Sequence, residues 1–156
     1  MILIYFILLI YCFFIIWLLE GYKNVIKKNI LNNDYTPFIS IVIAARNEAS
    51  NLSTLLDSLV NQNYPIDLYE IIIINDRSID RSASILKEYS QKIKNLKVIT
   101  ITSCPSIWAG KKWALHNGIK NSSGEIILQT DADCYMNKNW IKNMVNPFQD
   151  KSVGFV

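Results

Sequence analysis

The chain has 156 residues, of which 51% are apolar, and a formal net charge of +3. That length builds one domain with a real core. The lysines are scattered rather than gathered with aromatics into a basic stripe, so nucleic acid is set aside as a partner. Cys12, Cys104 and Cys134 are odd in number and lack metal-ligand spacing, which points to reduced thiols rather than a disulfide framework.

The opening stretch, "MILIYFILLIYCFFIIWLL", carries no charged side chain until Glu20. At 1.5 Å of rise per residue it spans roughly 28 Å, the hydrocarbon thickness of a bilayer. No basic region precedes it, no small-residue cleavage site closes it and no face of it is polar. Residues 1–20 therefore read as an uncleaved transmembrane anchor rather than a signal peptide or a core helix. Lys23, Lys27 and Lys28 follow directly, and this excess of positive charge places the remainder of the chain in the cytoplasm. Residues 21–37, shifting to Lys, Asn and Tyr and ending in "NNDYTP", read as a juxtamembrane linker with a turn.

From residue 38 the pattern alternates. "FISIVIAA" is a uniformly apolar, β-branched run suited to a strand covered on both faces. Residues 47–62 place Leu52, Leu55, Leu56, Leu59 and Val60 at helical spacing. "YEIIIIND" predicts a second strand, and residues 78–93 a helix with Ile85, Leu86, Tyr89 and Ile93 along one side. "LKVITI" predicts a third strand. A loop, "TSCPSIWAG", leads to a helix in "KKWALHNGIKNSSG" whose Ala114, Leu115 and Ile119 face the sheet and which breaks at Ser-Ser-Gly. "EIILQT" is the fourth strand, and "VGFV" reads as the start of another. Strands alternating with helices imply parallel pairing and right-handed crossovers, giving an α/β sandwich of three layers around a mostly parallel sheet.

In such a sheet ligands gather beyond the carboxyl ends of the strands. Those ends read "ARNE", "NDRSID" and "DADC". Asp131 and Asp133 point to one side if strand geometry persists, so their carboxylates would repel. A hard divalent ion, Mg²⁺ or Mn²⁺, completing its shell with water and phosphate oxygens, suits so sparse a donor set and implies a metal-bound diphosphate. An isolated Asp-x-Asp reads more simply as a cap and a solvated charge. This pair, however, closes the fourth strand of a sheet whose second strand ends in Asp76. Asp76 follows "IIIIN" directly and would face the same crevice, ready to accept from a nucleobase N–H or a ribose hydroxyl; Ser78 and Asp80 fit helix N-cap roles. Arg46, Asn47 and Glu48 open the first helix of the domain, where Glu48 also suits the helix dipole. Gly110, Lys111 and Lys112 precede a later helix, where a lysine can neutralise phosphate. His116 has no second ligand at metal spacing and reads as structural.

The segments "ISIVIAARNEASNL", "IIIINDRSID", "GKKWALHNGI" and "GEIILQTDAD", in that order, give residues 38–156 a resemblance to the family-2 glycosyltransferases, which have the nucleotide-binding GT-A fold. The resemblance implies a metal-dependent hexosyltransferase that moves a sugar from a nucleoside diphosphate sugar, foremost a UDP-sugar, to a lipid or polysaccharide acceptor at the cytoplasmic membrane face. It implies that Asp131 and Asp133 hold the metal and the diphosphate or ribose, and that Asp76 contacts the base. Ala44, Ala45, Arg46 and Glu48 would line the nucleoside pocket, with Lys111 near the donor. Three positions depart from the family pattern: Ala44 stands for its proline, Arg77 for glycine or aspartate, and Ile79 for threonine. The family draws its acidic general base and acceptor motifs from a later segment, expected beyond Val156, so residues 38–156 read as the donor-binding part of a longer enzyme and no catalytic base is assigned.

Two other readings stand beside this one. A non-catalytic, membrane-tethered nucleotide-sugar-binding subunit would need the same cleft. A haloacid-dehalogenase-like phosphatase uses its Asp-x-Asp as a nucleophile after the first strand, whereas here the pair follows the fourth and precedes Cys134. A dinucleotide oxidoreductase would need a glycine-rich turn after the first strand, and "AARNEA" contains no glycine.

Overall fold

In the computed structural model, which describes residues 2–28 and 35–156, the chain divides into two units. One is Tyr35–Val145; the N-terminal helix and Asn146–Val156 fall in the other. In chain order the regular elements are α1 (Ile2–Lys28), β1 (Ile39–Ala45), α2 (Leu52–Val60), β2 (Tyr69–Asp76), α3 (Ser82–Lys92), β3 (Leu96–Ile101), α4 (Gly110–Lys120), β4 (Ile126–Asp131) and α5 (Trp140–Val145). Short 3₁₀ turns occupy Ile66–Leu68 and Asn146–Gln149.

Within α1, the stretch Ile4–Lys23 is long and apolar enough to cross a membrane, and none of it is buried inside the protein. Residues 21–28, the first part of the expected linker, are helical, because α1 continues to Lys28. Once a helix is nucleated each further residue costs little, and Tyr, Lys, Val and Ile after the single Gly21 give no stop signal. Residues 29–34, with the Asn-Asn-Asp of the expected turn, lie outside the described residues, as do the side chains of Lys27 and Lys28.

The four strands form one sheet in the order β3-β2-β1-β4, every pairing parallel. β1 and β2, the central pair, are the most apolar: Ile41, Val42, Ile43 and Ile71 to Ile74 are fully buried. One face of this pair packs on α4, where Val42, Ile72 and Ile74 meet Ala114, with Leu115 half-buried beside them. Ile41, Ile43, Ile71 and Ile73 alternate to the other face and are equally buried, as are Leu52, Leu55, Leu56 and Leu59 of α2 and Leu86 of α3. This is the layered build expected of alternating strands and helices.

Two details differ from the sequence expectation. Ile119 is 45% exposed rather than turned to the sheet. The inward stripe of α4 is Ala114 and, one turn on, Gly118, and a methyl group at Gly118 would strike Val42 and come within 2.6 Å of Ile74 Cδ1. The helix thus lies too close to the sheet for a larger residue. The strand expected at Val153 is also absent: residues 153–156 carry no regular structure. An apolar run becomes a strand only where a neighbour completes its hydrogen-bond ladder, and these four residues have none.

At the amino end of the sheet, buried Ser40 donates its hydroxyl to Glu70 Oε1 at 2.6 Å. It accepts the Gly124 N–H at 2.8 Å, while Ser123 N–H reaches the same Glu70 oxygen at 2.7 Å. This network ties the α4–β4 turn to β1 and β2, and so helps to set the register that pairs Ile39 with Ile126 and, five residues on, Ala44 with Asp131.

Gly118→Val should overpack the α4–sheet contact and lower stability by about 1–3 kcal/mol. Denaturant unfolding followed by tryptophan fluorescence measures it, and an unchanged midpoint would show that α4 is free to shift outward.

Candidate functional site

The parallel register brings three strand ends level. Ala44 of β1 lies between Ile74 of β2 and Asp131 of β4, and Ala45 beside Asn75. Beyond these ends opens a cleft of about 420 Å³. Ala44, Ala45, Arg46, Glu48, Asp76, Lys111, Asp131 and Asp133, the residues that the sequence assigns to the site, all line it, with Gly110 and Ala132 completing the wall. Lys112 is exposed and does not line the cleft.

β4 ends at Asp131, yet its alternation carries on for two residues: Ala132 is turned inward at 3% exposure while Asp131 and Asp133 are both exposed on the cleft. Lys111, in the first turn of α4, answers one of the two charges, with Nζ 2.7 Å from Asp131 Oδ1. Both partners are more than half exposed, so solvent screening limits such a pair to about 0–1 kcal/mol. A ligand that offers either partner a better contact can therefore break it. Among the described residues no three of His, Cys, Asp and Glu gather as a metal cage, and the oxygen donors at this rim are the two aspartates.

The loop after β1 departs from the sequence expectation. Arg46, Asn47 and Glu48 do not open a helix, because α2 begins at Leu52. Asn47 has φ 58°, in the left-handed region that a right-handed helix does not admit. Glu48 instead prepares the helix entry: its carboxylate accepts from Asn51 Nδ2 at 2.7 Å, and its carbonyl from the Asn51 and Leu52 N–H groups.

This loop is sewn to the one after β2. Asn47 N–H donates to Ser78 Oγ at 3.0 Å, and Ile79 N–H to Asn47 Oδ1 at 2.9 Å. Glu48 N–H donates to Ser82 Oγ at 2.9 Å. Asp80 accepts from Ala49 N–H with one oxygen and from Ser82 N–H with the other. Ser78 therefore bridges loops rather than capping α3, and Asp80 bridges them while also accepting the N–H of Ser82, the first residue of α3. The hydrogen bonds from Ser82, side chain first and backbone second, with a further one from Ala49, hold the Asp80 carboxyl below its ordinary value, outweighing a smaller opposing effect of burial. Sequence reasoning missed this brace, although the cluster of Asn, Ser and Asp in both loops is its signal.

Arg77, recognised in the sequence only as a departure, proves central to the β2 end. It too is left-handed, with φ 54°, and folds back onto its neighbour: Nε donates to Asp76 Oδ1 at 2.6 Å and Nη2 to Oδ2 at 3.1 Å. That hydrogen-bonded grip raises the guanidinium pKa. Gly110 makes the room, since a Cβ there would lie 2.6 Å from Arg77 Nη2 and 3.2 Å from Asp76 Oδ2. His116 packs with Trp113, centroids 5.6 Å apart and rings inclined by 20°, and with Trp108 at 4.9 Å.

An open parallel sheet whose strand ends converge on a polar cleft, with the start of α4 at the rim, defines a nucleotide-binding α/β domain. Residues 40–156 match the family described as Glycosyl transferase family 2, and the chain belongs to that family. It is 36% identical over 120 residues to the beta-monoglucosyldiacylglycerol synthase of Nostoc sp., which covers 77% of this chain and 25% of that enzyme. Among solved structures it resembles S. aureus TarS 1-349 in complex with UDP-GlcNAc, with a TM-score of 0.61, 28% identity and coverage of 71% of this chain and 32% of that one. It also shares the fold of the mannosyltransferase PcManGT from Pyrobaculum calidifontis, with a TM-score of 0.72 and 24% identity over 87% of this chain and 41% of that one. The chain thus spans about a quarter of the Nostoc enzyme's length and a third of the TarS chain.

Because the folded-state pKa of Asp80 is depressed, its contribution to stability is present above the ordinary value of 3.8 and is lost as pH falls through the lower folded value. Asp80→Asn should melt earlier than the wild type at pH 7, and the gap should narrow as pH falls below 3.8. A gap that persists in acid would mean that the carboxylate charge plays no part in the brace.

Proposed function

We propose that residues 35–145 bind a nucleoside diphosphate sugar, foremost a UDP-sugar, and serve a metal-dependent hexosyltransferase that passes the sugar to a lipid or glycan acceptor. The observation that carries this reading is the convergence of Asp131, Asp133 and Lys111 on one cleft beyond the carboxyl ends of the sheet. The TarS structure supports a uridine nucleotide, and the Nostoc enzyme's product, a glucosyl lipid, supports a membrane acceptor.

Each part of the cleft has a task that follows from its chemistry. Asp131 and Asp133 present hard oxygen donors to open solvent, a set that fits Mg²⁺ or Mn²⁺ with most positions left to water and phosphate. Such an ion, when bound, acts as a Lewis acid on the departing diphosphate. Lys111 is the mobile cation: released from its weak pairing with Asp131, its ammonium can turn to a phosphate oxygen. Ala44 and Ala45, with their small side chains, leave room for a nucleoside, and the brace between the two loops holds Arg46 and Glu48 at its side. The catalytic base is left unassigned.

The membrane reading rests on α1. Its length and composition suit a single span, and the lysines that follow the apolar run put the domain on the cytoplasmic side by the positive-inside rule. A reporter fused at residue 37 should accordingly be active in the cytoplasm; export of the reporter would overturn the orientation.

UDP should bind the full chain in detergent only when Mn²⁺ or Mg²⁺ is supplied. Asp133→Asn should weaken that binding by tenfold or more, since a contact to a charged group contributes about 1.5–3 kcal/mol. Calorimetry with and without chelator reads both effects. Equal affinity after chelation would refute the metal dependence, and an unchanged variant would move the ion elsewhere.

A further inference from the structure

Asp131 is fixed by the last rung of the β4 ladder and by Lys111, but Asp133 lies two residues past the end of β4. Among the described residues its carboxylate has only the Cys134 thiol as a partner, at 3.8 Å. Its place on the rim is therefore inherited from the backbone on either side of it. We infer that Ser58 and Gln62, buried at the end of α2, are the positioning residues that set this backbone and so fix where Asp133 stands relative to Asp131. The inference rests on the nucleotide-binding reading above and names the part of the fold that keeps its acidic rim in shape.

Three observations carry it. First, the segment after Asp133 is tied directly to α2. A turn closes where Cys134 N–H reaches back to Asp131 O at 3.4 Å; Met136 N–H then donates to Ser58 Oγ at 3.2 Å, while the Ser58 hydroxyl donates to Leu55 O at 2.7 Å. Gln62 takes hold further along: Nε2 donates to Asn137 O at 2.7 Å and to Ser58 O at 3.0 Å, and Oε1 accepts the Ile141 N–H at 3.0 Å. Asp133 thus sits between two fixed points, the end of the β4 ladder and Met136. Second, Ser58 is 5% exposed and Gln62 8%, beside the buried Leu55, Leu56 and Leu59 of the same helix. A hydroxyl or amide buried there costs free energy unless it is hydrogen-bonded. Apart from carbonyls of their own helix, the partners that satisfy these two side chains all lie in residues 136–141. Third, α2 is anchored to the opposite wall as well, since Glu48 O accepts the N–H groups of Asn51 and Leu52 while Glu48 N–H is bonded to Ser82 Oγ. One helix therefore carries the loop brace at its start and the acidic rim at its end.

The consequence for the ligand follows from what the cation demands. A small hard ion such as Mg²⁺ holds its oxygen donors at about 2.0–2.1 Å and tolerates little departure from octahedral geometry. Two carboxylates serve it together only while their separation is kept. The sheet keeps Asp131 in place; the clamp from α2 keeps Asp133. With the Ser58 hydroxyl removed, Met136 N–H loses its acceptor, residues 132–135 gain freedom, and Asp133 drifts from the place where one ion can touch both carboxylates. The effect passes through the rim alone, because neither Ser58 nor Gln62 lines the cleft.

The test is calorimetry on the full chain in detergent with UDP and Mn²⁺, alongside hydrogen exchange of the ligand-free protein read by mass spectrometry. Ser58→Ala and Gln62→Met should each weaken UDP about threefold or more, short of the roughly tenfold to hundredfold cost of losing a group bonded directly to a metal ligand. Both should also speed exchange within residues 132–137. Ser58→Thr keeps the hydroxyl and should bind UDP within about twofold of the wild type. In an Asp133→Asn background the first two substitutions should change UDP affinity by less than about twofold, because groups that act through one another do not add. Losses by the same factor with and without Asp133 would make Ser58 and Gln62 general supports of the fold and overturn the inference. So would unchanged UDP affinity in both folded variants, or exchange in residues 132–137 that matches the wild type. Circular dichroism melts establish that each variant is folded at the assay temperature, and Gln62→Met, which nearly conserves side-chain volume, carries the test if Ser58→Ala does not fold. A wild type that binds no UDP in the presence of Mn²⁺ would instead refute the nucleotide reading on which the inference rests.

Discussion

Everything at this site depends on the parallel register of β4 against β1. Pairing Ala44 with Asp131 sets an acidic strand end level with the ends of β1 and β2, so that three polar turns face one cleft. In a period-two element a slip of one residue would turn Asp131 to the opposite face and break up the acidic rim. The register is held from the far end of the sheet, where Ser40 and Glu70 grip the turn before β4. It is reinforced by the core, since β1 and β2 are buried along nearly their whole length.

Charge at the cleft is arranged in pairs that differ in strength. At the β2 end, buried Asp76 is locked to Arg77 through two hydrogen bonds, a contact that is costly to break because it would strand a charge in a poorly solvated place. At the β4 end, exposed Asp131 holds Lys111 by a single screened contact, and Asp133 stands open. The first arrangement suits a fixed recognition surface; the second suits groups that exchange partners when a polyanion and its cation arrive. Between them the loops after β1 and β2 are cross-braced by Asn47, Ser78, Asp80 and Ser82, which makes the wall of the cleft a property of two loops acting together.

Much of this was legible in the sequence, for identifiable reasons. The runs "YEIIIIND" and "LKVITI" match β2 and β3 in the structure, the latter because Asn95 and Thr102 bound its apolar pattern on both sides. The cleft residues were legible because strand ends are where an open α/β sheet places its ligands. Helix starts were harder to read: nothing in "ARNE" announces that Asn47 turns left-handed, since the reason lies in partners thirty residues away. Likewise, Arg77 read as a mismatch until its contact with Asp76 and the clearance at Gly110 were visible, for sequence spacing cannot reveal which of two neighbouring charged groups faces outward. Gly118 is a third case, its value lying in the absence of a side chain against Val42 and Ile74.

The most direct measurement is the structure of the chain crystallised with manganese and uridine diphosphate. The account requires an anomalous manganese signal at Asp131 and Asp133, diphosphate oxygens on that ion, and Lys111 drawn from Asp131 towards the phosphates. A nucleotide bound away from the carboxyl ends of β1, β2 and β4, or an empty rim with Lys111 still paired to Asp131 at saturating ligand, would contradict it.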